Sequence, residues 1–192
     1  MNTAANTAAK SDISKRLTRD DWLSGALELC EQGIEQVKVA PLATRLGVTT
    51  GSFYWHFKNR QELLDGLLYF WEQEMTDRAI SETRDYEGDP VERIYVLMDT
   101  VVKNNLARYD LPIWQWAQSD IKVKEVFDRV LQKRFAYSTE MFALAGFPSD
   151  EAKARGRLMA TYLMAESTLI DDDKSHTKEL LRMKHRVLTT RS

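Results

Sequence analysis

The residues able to do covalent or metal chemistry are few and scattered. His56, His176 and His185 are the only histidines, and no two stand four apart, the spacing at which one helix face holds a metal. The single cysteine, Cys30, has no partner for an internal disulfide. It sits on an apolar helical face, where a thiol packs as a small hydrophobe, in keeping with a reducing compartment. Asp171-Asp172-Asp173 lines up three carboxylates, a pattern that fits the acidic N-terminus of a helix better than a cation site. No Walker or dinucleotide glycine motif is present. These residues point away from an enzyme, a metal centre and a bound cofactor. The one dense concentration of hydrogen-bonding side chains is Thr49-Thr50-Gly51-Ser52-Phe53-Tyr54-Trp55-His56-Phe57-Lys58-Asn59-Arg60.

The surrounding sequence positions this stretch by helices. Leu42, Ala43 and Leu46 give a short helix an apolar face, and Pro41 is tolerated in its first turn, where the N–H has no intrahelical partner. Gly47 ends that helix. Thr49 or Thr50 caps the next one, and Phe53 and Phe57 sit one turn apart on its buried side. Two helices joined by about three residues, the second opened by small polar groups, match a helix-turn-helix.

Composition agrees with an all-α fold. Glycine (8) and proline (4) are sparse for 192 residues. No run of about 18 apolar residues exists to span a membrane, which makes the chain read as cytoplasmic. Residues 1–14 have little apolar content and no signal-peptide core and read as a disordered tail. The net charge is −2, but it is uneven: residues 1–60 hold 8 Lys+Arg against 6 Asp+Glu, and the remainder 19 against 23. A slightly basic front on an acidic body suits a DNA-reading module.

Along the chain, Thr18-Arg19-Asp20-Asp21 caps a first helix carrying Trp22, Leu23, Ala26, Leu27 and Cys30, stopped by Gly33. After the helix-turn-helix, Asn59 caps a long fourth helix that runs to about Asp85. At about 1.5 Å per residue it is long enough to leave a small module and reach a second one. A fifth helix opens at Pro90 and runs to about Ala107. A short sixth lies around Leu111 to Ala117, and a long seventh runs from Asp120 to Gly146. An eighth begins at Ser149, and a ninth is capped by Asp171 to Asp173. The expected architecture is about nine helices: a helix-turn-helix domain over 15–62 and a helical body over 63–192.

Leu42-Ala43, Leu46-Gly47-Val48-Thr49, Gly51-Ser52-Phe53-Tyr54-Trp55-His56-Phe57-Lys58-Asn59-Arg60 and Glu62-Leu63-Leu64 together resemble the tetracycline-repressor (TetR) family of regulators. The motif covers about 50 residues, and the helical layout extends the likeness by architecture alone. The resemblance implies that Thr49, Thr50, Gly51 and Ser52 face base edges and nearby phosphates. It implies backbone contacts from Tyr54, Trp55 and His56, and from Arg60 at the start of the fourth helix. Lys38 departs from the family's usual threonine, and Val39 and Ala40 follow where polar residues are common. Lys38 can still hold a phosphate, and specificity then rests more on Thr49, Thr50 and Ser52.

In the body, Tyr95, Met98, Trp114, Trp116, Phe127, Met159 and Tyr162 supply the aromatic and sulfur side chains that line adaptable apolar pockets, and that equally build ordinary cores. The resemblance implies a homodimer formed by the last two long helices, with Leu158, Leu163, Leu169, Leu181 and Leu188 at the interface. A two-fold dimer reads two half-sites of double-stranded DNA. The expected function is a regulator, a repressor released from a pseudo-palindromic operator by a small, largely apolar effector. The alternative is a DNA-binding regulator without such a ligand, controlled by a protein partner or by abundance.

Overall fold

A computed structural model describes residues 17–169 and 178–191, the side chains of 167–169 excepted. The 1–14 tail, the Asp171 to Asp173 cap, His176 and the Leu169 side chain lie outside the described residues. Within them the chain is helical, with no strand. Helix α1 (Arg19–Cys30) starts at a capping box in which Thr18 and Asp21 satisfy each other's backbone N–H. A 3-10 turn (Ile34–Gln36) leads to α2 (Val39–Arg45) and α3 (Thr50–Phe53). Next come α4 (Arg60–Glu72), a π-helical turn (Gln73–Asp77) and α5 (Arg78–Arg84). These three follow one another without a break, so the expected fourth helix is one rod interrupted by a wide turn. The body then adds α6 (Pro90–Lys103), α7 (Asp110–Ala117), α8 (Ile121–Leu144), α9 (Ser149–Leu169) and α10 (Lys178–Thr189). With the rod counted once, the described residues hold the expected nine helices.

Helix α6 stops four residues short of the expected Ala107. Asn104 closes it by donating its side-chain amide to the Thr100 carbonyl, and Asn105 takes a positive φ of 46° that no helix continues through.

Two apolar clusters hold the molecule. The first gathers Trp22, Leu27, Leu42, Phe53 and Phe57 from the front, then passes through Leu67 and Trp71 of α4 to Ile113, Trp116 and Phe127 of α7 and α8. Trp71 stacks on Phe127 with ring centroids 5.9 Å apart. The core therefore does not stop near residue 62. The second cluster joins Ile94, Met98, Phe142, Met159, Leu163 and Leu181 from α6, α8, α9 and α10. Helix α10 lies on α6, where the His185 ring nitrogen is 2.9 Å from the Val91 carbonyl. A ring nitrogen facing a carbonyl is the protonated one, so this bond selects the Nε2–H form.

At the end of α4 the carboxylate of Glu72 is buried between Arg129 (2.6 Å) and Lys133 (2.7 Å) of α8. The Arg129 guanidinium, against the cost of burial and with help from Lys133, pulls the Glu72 carboxyl down from the usual 4.5 to about 2. A depressed acid stabilises the fold fully above its unfolded value and stops doing so as pH falls through its folded one. Glu72→Gln is expected to cost about 1–3 kcal/mol at pH 7, a range discounted for the partly exposed cations. In urea melts the loss should be smaller at pH 3 than at pH 7. Equal losses at the two pH values would show that the pairing does not stabilise the fold.

Candidate nucleic-acid interface and internal cavity

The front module is built to hold α3 outward. Trp22 meets the Phe53 edge with ring centroids 5.6 Å apart, and Phe53 stacks on Phe57 at 5.3 Å. Both phenylalanines are fully buried, so the next residues must turn to solvent. Tyr54 is 65% exposed and Trp55 83%. Burying such aromatic surface is favourable, so leaving it in water makes this face a candidate contact surface. Thr49, Thr50 and Gly51 are exposed and Ser52 is half-buried. Thr49 is the residue before α3, but its hydroxyl does not cap the helix and stands 3.3 Å from the Ser52 hydroxyl. Gly47 takes φ 69°, which lets the chain leave α2 and enter α3 at a sharp angle.

His56 is half-buried, its ring 6.3 Å from the Trp22 centroid. Its carbonyl accepts from Arg19 at 3.0 Å, and Arg19 also pairs with Glu62 at 3.2 Å and lies over the Phe57 ring. The turn between α3 and α4 is thus pinned to α1. Arg60, expected to hold a phosphate, is engaged elsewhere. Its Nε donates to the Val37 carbonyl at 2.6 Å and its Nη2 to the Ile34 carbonyl at 2.9 Å. It closes the end of the 3-10 turn, sharing the Ile34 carbonyl with the Val37 N–H.

Two cations remain open on this face. Lys38 and Lys58 are exposed, and neither ammonium forms an ion pair among the described residues. Arg45, by contrast, pairs with Glu28. Lys58 was not picked out from sequence; its place directly after Phe57, the buried aromatic that follows α3, was the available signal. The Cys30 thiol is buried and burial, with Glu35 and Glu31 nearby, pushes it up to about 12, so it is inert at neutral pH.

The body holds a partly open cavity of about 50 Å³ between the π-helical turn, α5, α6, α8 and α9. Its apolar wall includes Met75, Ala79, Leu97, Ala160 and Met164, and its polar groups are Thr76, Arg134, Tyr137 and Ser138. None of the seven residues expected in a pocket lines it. Trp116 and Phe127 fill the first cluster, and Tyr95, Met98 and Met159 fill the second. Tyr162 packs against the second cluster, and Trp114 faces solvent. Large flat side chains bury the most surface, so the clusters take them and leave the cavity to smaller residues.

The expected dimer residues are also redistributed. Leu163 and Leu181 are buried in the protomer's own second cluster, and Leu188 packs against it. Leu158 is 64% exposed on α9, and Leu144 is 55% exposed on α8.

The fold and the site define a class: a helix-turn-helix module carried on a helical body with an internal cavity. The family model for bacterial regulatory proteins of the tetR family matches residues 23–67. The regulator AcrR of Shigella flexneri is 29% identical over 102 residues, 50% of this chain and 47% of that protein. The class D tetracycline repressor of Escherichia coli is 43% identical over 53 residues, 27% of this chain and 24% of the repressor. The chain thus spans half or less of the length of these relatives. Among solved structures, a transcriptional regulator from Rhodococcus matches with TM-score 0.70 at 17% identity over 90% of this chain and 94% of its own. FadR of Bacillus subtilis, solved in complex with stearoyl-CoA, matches with TM-score 0.64 at 15% identity over 90% of this chain and 98% of its own. Through its N-terminal module the chain is similar to the tetR family.

Proposed function

We propose that this protein is a homodimeric, DNA-binding transcriptional regulator acting in the cytoplasm. It is a repressor that leaves a pseudo-palindromic operator when a small, largely apolar effector enters the body. The observation that carries this reading is the outward face of α3. Thr50, Gly51 and Ser52 let the helix approach a major groove, and Tyr54, Trp55, Lys38 and Lys58 surround it with donors for phosphate oxygens. Phe53 and Phe57 beneath make the platform rigid. Selection from random duplexes is expected to return a two-fold symmetric site with half-sites about 10 base pairs apart or a multiple of that. A site without symmetry, or no enrichment, would refute the reading.

On that site the side chains separate by their salt response. Lys58→Ala should weaken binding and reduce the slope of log affinity against log salt by about 1, because one phosphate contact is lost. Tyr54→Phe should weaken binding with the slope kept, since a neutral hydroxyl releases no counterion. An unchanged slope in Lys58→Ala would remove that lysine from the interface.

The dimer surface is the outer side of α9 and α10, where Leu158, Met183 and Val187 stand exposed. Leu158→Glu is expected to convert the dimer to monomer in light scattering and to abolish tight operator binding. A dimeric variant would place the interface elsewhere.

The effector reading rests on the cavity at the π-helical turn, because the rod that lines it also begins at the helix-turn-helix. A second reading, regulation without a small molecule, is favoured by the cavity's size. About 50 Å³ is far below the several hundred of a typical ligand pocket.

A further inference from the structure

Arg134 is the only charged residue among the described residues that line the cavity. Its Nη1 and Nη2 donate to the two oxygens of Asp110, at 2.5 and 3.1 Å, and its Nε donates to the Thr76 hydroxyl at 3.0 Å. The Asp110 side chain is fully buried and Arg134 only slightly exposed, and the pair is already neutral. Each terminal nitrogen of a guanidinium carries a second hydrogen beyond these bonds. Beside it, Ser138 is buried and lines the cavity, and its hydroxyl has no hydrogen-bond partner among the described residues. The Tyr137 hydroxyl is instead engaged with Thr83 at 2.9 Å. The polar corner therefore holds unused donors and no net charge, against walls of alanine, leucine and methionine.

Building on the reading of this cavity as an effector site, we propose that its occupant is an uncharged apolar molecule with one hydrogen-bond acceptor, such as a ketone or ester carbonyl. The carbonyl oxygen accepts from Ser138 and Arg134, and the hydrocarbon part lies along Met75, Leu97 and Met164. A carboxylate would be the second anion on one guanidinium. It would have to displace Asp110, which has no route to solvent, or remain unneutralised in an apolar site. An ammonium would face Arg134 directly. The methionines turn with little strain, which lets so small a cavity widen around a chain.

The test is calorimetric titration of the full chain with four eight-carbon probes: octan-2-one, octane, octanoate and octylammonium. Octan-2-one is expected to bind at least tenfold more tightly than octanoate or octylammonium. Ser138→Ala should lower its affinity about fivefold and leave octane unchanged, the size of one neutral hydrogen bond. Octanoate binding as well as the ketone, no ketone binding, or an unaltered ketone affinity in Ser138→Ala would each overturn the assignment. Operator affinity measured on the same preparations separates the two levels. Ketone binding without operator binding sinks the regulator and keeps the pocket chemistry; operator binding without ketone binding does the reverse.

Discussion

Gly156→Ala is expected to destabilise this protein by about 2 kcal/mol or more, lowering its melting temperature by roughly 4–8 °C, where glycine-to-alanine in a helix ordinarily helps. Gly156 lies inside α9, and in an isolated helix the change stabilises by about 1 kcal/mol. Here the added carbon would stand 2.7 Å from the Thr139 backbone nitrogen and 2.9 Å from the Ser138 carbonyl carbon and the Thr139 α-carbon. Those atoms are backbone of α8 and cannot swing aside as a side chain would. Relief requires α8 and α9 to part, which loosens Met159 and Leu163 from the second cluster at the same time. Gly156→Val, with its branch, should leave little folded protein. A stabilised Gly156→Ala in thermal melts would show that the helices are further apart than described.

Arg134→Met should cost about 3–5 kcal/mol at pH 7, because it strands the Asp110 carboxylate in the interior. Burial pushes the Asp110 carboxyl up, and the Arg134 guanidinium and Trp71 indole pull it back. Without the guanidinium the acid rises further. An acid whose folded value exceeds its unfolded one destabilises increasingly as pH climbs above the unfolded value. The variant should therefore regain stability relative to the parent as pH is lowered from 7 toward 5, here because a destabilised buried carboxylate takes up its proton. The double change Arg134→Met with Asp110→Leu removes both charges and should recover most of the loss. A loss that does not vary with pH and is not rescued would mean that Arg134 acts by packing alone.

What local spacing governs was legible. The pairs Phe53–Phe57 and Leu42–Ala43, the stop at Gly47 and the Asn59 cap belong to periods of one helical turn and to single backbone angles, so a reader of the chain can place them. The exposed Tyr54 and Trp55 follow from the same arithmetic, since a helix that buries Phe53 and Phe57 turns its neighbours outward. Arg60 escaped that arithmetic because its partners are carbonyls of Ile34 and Val37, more than twenty residues away. Lys58 escaped because an exposed lysine has no signature until its neighbours are seen to pair with acids and it does not. The same limit applies to Leu163 and Leu181, which carry the same apolar signal whether they meet their own core or another chain.

The sequence by itself therefore determined the helices, the helix-turn-helix and the residues that face away from its core, because each depends on contacts within a few turns. Only the tertiary structure decided where the cavity lies and what it can hold. Thr76, Arg134 and Ser138 come together from the π-helical turn and α8, and Asp110 joins them from α7. That meeting depends on how α8 packs between the rod and α9, with Gly156 setting the closest approach. Packing also sent the large aromatics to the two clusters and left the small residues to border free space.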